Sequence, residues 1–283
     1  MAVADLLVVI TDVILRWFII YFPVSFLDIT PVCSLIMALI PATTMNSVWL
    51  TVTFTIDRYV ALCCQKLKTR YCREKTAAMI IGTVSVLSCL ESIPWFFKFK
   101  AKYIFNNLQW FCITKPEYYT SNFWTVYVLL HRLLSPFLPI FLILLMNTLT
   151  VRHIVKASKA RRRLQEDNNR LAFNDPEMDR RRKSIILLFT ISGSFIALWA
   201  TYITLFLYQR ISFIHNADPI SSTAGTIGYV LLFLNTCANT CIYTVTQRKF
   251  REQLKIILAY PFIQLVRSIK QSTVVNVASS HKE

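Results

Sequence analysis

In the stretch SVWLTVTFTIDRYVALCC, from Ser47 to Cys64, an acid and a base stand side by side, Asp57 and Arg58, in otherwise apolar sequence. A charge in such surroundings is costly, so each one is a functional hypothesis. Why so apolar a helix carries an adjacent acid and base near one end is the question this stretch raises. The plainer reading is a marker of a membrane interface. Asp5 is a second acid in an apolar run, and Ser47, Asn235 and Asn239 are its expected company. A carboxylate, a hydroxyl and two amides suit a small hard cation such as Na+, or a water cluster. The same groups can equally form a structural polar knot, worth about 1 kcal/mol per hydrogen bond. Asp12 and Arg16 have the spacing at which an acid and a base meet on one helix face. Arg132 can clasp a ligand carboxylate through two parallel hydrogen bonds, pair with Glu91, or snorkel to the surface.

The elements that carry these groups must be long and greasy. The chain of 283 residues is 55% hydrophobic and 16% charged, where a soluble domain holds about 25% charged residues. A spanning helix needs roughly 20 apolar residues, and the stretches 2–27, 31–64, 76–97, 123–151, 184–207 and 220–245 reach that length. Four glycines and no strand-like alternation of polar with apolar residues argue against a β-barrel. Orientation follows from the basic residues. Lys66, Lys68, Arg70, Arg73 and Lys75 follow the second stretch, a dense run from Arg152 to Lys183 follows the fourth, and a basic tail follows the last. These regions share the cytoplasmic side. The net charge of +16 thus reads as topology and attraction to anionic lipid, not as nucleic-acid binding.

Cysteines divide by side. Cys63, Cys64 and Cys72 lie at the cytoplasmic end of the second stretch, where thiols stay reduced. Cys89, Cys237 and Cys241 fall in apolar runs and are expected to be small buried side chains. Cys33 and Cys112 share the outer side and are expected to pair, the alternative being two unpaired thiols. The polar segment LQEDNNRLAFNDPEM, residues 164–178, reads as a flexible loop. Further on, Phe250, Leu254, Ile257 and Leu258 share one face of a short amphipathic helix at the membrane surface. A membrane domain over 1–258 and a cytoplasmic tail over 259–283 follow from this.

Catalysis finds no support: HExxH and GxSxG are absent, and no Cys/His cluster has metal-ligand spacing. The rival classes are a six-span transporter or channel subunit, and an intramembrane enzyme. Paired broken helices in related halves, which a transporter would favour, are not visible.

Taken together, the motifs resemble those of the rhodopsin-like G-protein-coupled receptors. AVADLL resembles the second-helix motif, with Asp5 as its carboxylate; DRY at Asp57, Arg58 and Tyr59 resembles the close of the third helix. Trp199, four residues after Phe195, resembles the toggle tryptophan and its aromatic partner. NTCIY, from Asn239 to Tyr243, stands where the family has Asn-Pro-x-x-Tyr. Cys33 and Cys112 match the cysteines that tie the third helix to the second outer loop. Within the family, the DRY and RRKSIILLFTISGSFIALWATYITLFLY stretches are similar to the G-protein coupled receptor 139 group.

The resemblance implies an all-α transmembrane bundle at the plasma membrane, with six spans present as family helices two to seven. The expected first helix would lie upstream, as an apolar segment with a mid-helix asparagine. It also implies an extracellular small peptide or aromatic amino-acid-like ligand, a heterotrimeric G protein as partner, and no cofactor beyond sodium as an allosteric ion. Asp57, Arg58, Tyr59, Asn239 and Tyr243 would couple to the G protein, and Phe195 and Trp199 would switch. Ile40, Thr44, Tyr202, Phe206 and Tyr229 would line the ligand cavity, with His131 or Arg132 as polar anchors. Ile40 stands where amine-binding relatives place an aspartate, which argues against a biogenic amine.

Four departures follow from the same comparison. Thr201 and Thr240 replace family prolines, and IIGTVSVLS replaces the usual fourth-helix tryptophan region. Arg181 stands where some relatives keep an acid. Pro139 or Pro136 would be the fifth-helix proline, and Asn147 falls where many relatives have tyrosine.

Overall fold

The computed structural model describes residues 1–22, 25–64, 66–67, 73–168, 176–214, 219–246, 251–253, 255–257, 259–260 and 264. Helices dominate: α1 Ala2–Val8, α2 Arg16–Tyr21, α3 Thr30–Cys63, α4 Glu74–Phe97, α5 Glu117–Thr120, α6 Asn122–Arg132, α7 Leu138–Asn168, α8 Pro176–Ile214 and α9 Pro219–Thr246. A π-helical turn, Val9–Leu15, joins α1 to α2, and another, Leu133–Phe137, joins α6 to α7. The second holds Pro136, which has no N–H to give a regular ladder, and Pro139 lies at the start of α7.

Among the described residues, four helical stretches are long and apolar enough to cross a bilayer: Thr30–Cys63, Glu74–Phe97, Asn122–Ala157 and Ile185–Leu205. Their apolar residues face outward as well as inward. Met79, Ile81, Val86, Leu87 and Leu90 of α4 are all exposed. Such a helix is stable only where hydrocarbon covers it.

The chain forms two compact units, 1–239 and 240–283. In the first, α3 is the central rod and packs against α1, α4, α7 and α8. Val48 and Val52 of α3, Ile143 of α7, Phe195 and Trp199 of α8 and Leu232 of α9 form its core. Asn46 joins α3 to α4 by accepting a hydrogen bond from Ser85 Oγ at 3.1 Å, in the stretch without the family tryptophan. In the second unit, residues 251–253 and 255–257 are helical. Arg251 Nη1 donates to the carbonyls of Thr244 at 3.2 Å and Val245 at 2.7 Å, as a cation does at a helix C-terminus. Phe250, Leu254 and Leu258 lie outside the described residues.

Several expectations are corrected. The first apolar stretch does not stay helical to Leu27: the helix ends at Tyr21, and a 3-10 turn, Phe26–Asp28, follows. Phe22 precedes a proline in the sequence, which disfavours the helical conformation there. Asp28 then accepts hydrogen bonds from Ser25 N and Oγ, capping the turn. The segment 164–178 is helical at both ends, since α7 reaches Asn168 and α8 begins at Pro176. Its Leu, Gln, Glu and Arg residues are good helix formers, and proline is at home in a first helical turn. Cys89, Cys237 and Cys241 are exposed rather than buried; a thiol is apolar enough to face lipid.

The outer loop forms a hairpin that the sequence reading did not anticipate. Strands β1 Phe99–Phe105 and β2 Leu108–Thr114 pair antiparallel around Asn106 and Asn107, with φ of 50° and 60°. Two successive left-handed residues make the tight hairpin turn that asparagine tolerates best. Bulky alternating residues on both strands, with Tyr103 opposite Trp110, supply the cross-strand contacts.

Candidate functional site

At the cytoplasmic end of α3, Arg58 Nη2 lies 3.2 Å from Asp57 Oδ2, and its guanidinium sits 5.1 Å from the Phe54 ring centroid. Arg58 Nε is buried without a hydrogen bond. The guanidinium is thus held by one neighbouring carboxylate and one aromatic face, both from its own helix, and keeps a donor unspent. Tyr59 is half-buried beside it. The side chains of Tyr243 and Arg181 lie outside the described residues.

Above this point the core narrows to aromatic rings. Phe195 is 0% and Trp199 3% exposed, their centroids 5.9 Å apart. Tyr202 meets Trp199 edge-on at 5.5 Å. Gly228 of α9 lies opposite Tyr202, where a Cβ would stand 3.4 Å from Tyr202 Cδ2, in van der Waals contact. The spacing of the three aromatics was legible in the sequence, whereas the glycine opposite them was not. The helix does not unwind at Thr201, whose hydroxyl donates to Ala197 O at 2.8 Å. A threonine bonding back to its own helix bends it only mildly.

Asp5 and Ser47 meet between α1 and α3, where the hydroxyl donates to Asp5 Oδ1. The Asn239 amide faces the same carboxylate, and both its polar atoms are buried without a full hydrogen bond. Asp5 Oδ2 and Asn235 Oδ1 are buried and unpartnered too. Three buried oxygens of the four expected residues are thus without a hydrogen bond. One turn above, Thr11 and Thr43 hydroxyls bond across the helices at 3.0 Å. Asp12 Oδ1 accepts from Arg16 Nη1 at 3.0 Å inside the π-helical turn, as the spacing predicts.

On the outer side, Glu91 is engaged by His131: Oε1 lies 2.8 Å from His131 Nδ1. His131 shares this face with Tyr127, whose hydroxyl donates to Glu91 O at 2.7 Å. Trp95 stacks edge-on over His131 at 5.3 Å and touches Trp124 and Tyr127. Lys98, just beyond α4, places its amine 4.1 Å from the Tyr118 ring and 5.0 Å from Trp95. Burial pushes that amine below its ordinary value, while the ring faces favour the cation. Sequence reading missed this aromatic cluster because its members are scattered over α4, α5 and α6. Ile40 and Thr44 are half-buried one turn apart on α3. The side chains of Phe206 and Tyr229 lie outside the described residues.

The hairpin closes over the outer end of α3 by three ties. Cys33 and Cys112 form the expected disulfide, with Cα atoms 6.1 Å apart. Thr30 Oγ1 donates to Phe111 O at 3.0 Å, and Ile29 bridges to Trp110. Phe111 holds a φ of 58°, a conformation uncommon for a bulky residue and tolerated here beside the disulfide.

The family model of the 7 transmembrane receptor (rhodopsin family) matches residues 1–243. Among curated proteins, the chain is similar to somatostatin receptor type 5 of Rattus norvegicus, 25% identical over 80% of the chain and 58% of that receptor. It is also similar to melatonin receptor type 1C of Xenopus laevis, 21% identical over 80% of the chain and 50% of that receptor. The matched segment thus spans little more than half the length of these relatives. Neither relative is an enzyme by name, and the outward-facing apolar helices make this a multi-pass membrane protein. With the DRY end of α3, the buried Phe195–Trp199 pair and the Cys33–Cys112 bridge in place, the chain belongs to the 7 transmembrane receptor (rhodopsin) family.

Proposed function

We propose that this chain passes an extracellular chemical cue to a heterotrimeric G protein, through outward movement of α8 at its cytoplasmic end. The observation that carries the reading is the aromatic line Tyr202–Trp199–Phe195, half-buried at Tyr202 and fully buried at Phe195 in the core shared by α3, α7, α8 and α9. A ligand that repositions Trp199 shifts a close-packed core with discrete arrangements, and packed cores respond by switching rather than by yielding. Arg58 then exchanges Asp57 for a helix of the partner. The ligand can drive this only by binding the open arrangement better than the closed one.

The cavity chemistry favours an aromatic amino acid or small aromatic peptide. Ile40 offers no charge for an amine, Tyr202 offers a ring face, and His131 and Arg132 supply polar anchors. Asp5, Ser47, Asn235 and Asn239 would hold Na+, which would neutralise the carboxylate and link the ends of this unit's helices. Residues 1–258 would serve as the receptor domain and 259–283 as the cytoplasmic tail. Nucleotide exchange on a purified heterotrimeric G protein, by the chain in nanodiscs with L-tryptophan, L-phenylalanine and short aromatic peptides, tests the reading. Stimulated exchange supports it; substrate flux through proteoliposomes without exchange identifies a transporter instead.

A further inference from the structure

A groove of about 540 Å³ opens between α7 and α8, lined by Leu144, Asn147 and Arg152 on one side and Phe189, Gly193 and Ile196 on the other. We propose that it is a docking site for an anionic phospholipid of the cytoplasmic leaflet, with the phosphate on Arg152, the ester region on Asn147 and one acyl chain along Phe189 and Ile196. Three observations carry this. Asn147 is only 9% exposed, and its Oδ1 is buried with no hydrogen-bond partner. A primary amide deep in an apolar groove costs free energy until a ligand meets it, and its two-fold freedom lets it offer either a donor or an acceptor. Arg152 is exposed at the point where the basic cytoplasmic run begins, which complements a phosphate. Five residues of helix separate the two polar groups, about 7.5 Å along the axis, the order of the step from a lipid phosphate down to its ester carbonyls. Gly193 leaves the wall open, since a Cβ there would meet nothing within 4 Å. An acyl chain fills that space without displacing protein.

The site lies between the helix proposed to move and its neighbour, but lipid binding to it does not depend on the signalling reading. The test uses the full chain in phosphatidylcholine nanodiscs doped with phosphatidylglycerol that carries a diazirine on one acyl chain. After irradiation, mass spectrometry should find the label concentrated on peptides holding Leu144 and Ile196. Unlabelled phosphatidylglycerol should displace it, and phosphatidylcholine or cholesterol should not. Arg152→Gln, an exposed change compatible with folding, should lower the yield about fivefold, the effect of roughly 1 kcal/mol per basic residue at an anionic surface. Gly193→Leu should lower it at least as far by filling the groove. Labelling spread evenly around the lipid belt, or groove labelling unchanged in both variants, overturns the proposal. Displacement by cholesterol overturns the choice of phospholipid.

Discussion

Asp5 illustrates what an acid inside the bilayer requires. One oxygen is met by Ser47, while the other stays unpartnered, as do the amide oxygens of Asn235 and Asn239. Such a set gains most from a cation, because each unsatisfied buried oxygen carries a desolvation cost of about 1–3 kcal/mol. Raising NaCl at constant ionic strength should therefore raise the melting temperature of the nanodisc protein, and Asp5→Asn should abolish the dependence. A sodium response that survives in Asp5→Asn would place the ion elsewhere. Lys98 makes a different residue-scale prediction. Its amine is shifted downward by burial, so the unfolded chain holds that proton to higher pH than the folded one. Stability from this group is least at neutral pH and rises as pH climbs through the lowered value toward the ordinary 10.5. Lys98→Met should flatten that alkaline rise in melting temperature; an unchanged slope would mean that the rings cancel the burial effect.

At the scale of elements, the hairpin and α3 hold each other. The disulfide closes a long loop, with a sequence separation of 79 residues. Removing a native bridge typically costs about 2–5 kcal/mol. Cys112→Ser should lower the melting temperature and loosen β1–β2, seen as faster amide exchange at Tyr103 and Trp110; equal exchange would show that Thr30 and Ile29 suffice. The helices themselves were legible in the sequence because runs such as those of α3 and α4 are apolar throughout, and only a helix satisfies its own backbone in lipid. The Cys33–Cys112 bridge was legible from sidedness, and Asp12–Arg16 from spacing. What escaped was set by contacts between distant segments. The hairpin depends on a left-handed Asn pair within an unremarkable polar loop, and Glu91 takes His131 because of which face each presents. The extension of α7 to Asn168 reflects helix propensity outweighing polarity.

For the whole molecule, an aromatic core around α3 separates a disulfide-tied outer end from a cytoplasmic end where Arg58 has one carboxylate and one ring for company. The account requires that this guanidinium be handed to a G protein when the core rearranges. The most direct measurement is nucleotide exchange on a heterotrimeric G protein by wild type and Arg58→Gln, at matched surface abundance and with the aromatic ligand panel present. A charge-assisted contact is worth about 1.5–3 kcal/mol, so exchange should fall about tenfold or more. Exchange at the wild-type rate in Arg58→Gln would contradict the account.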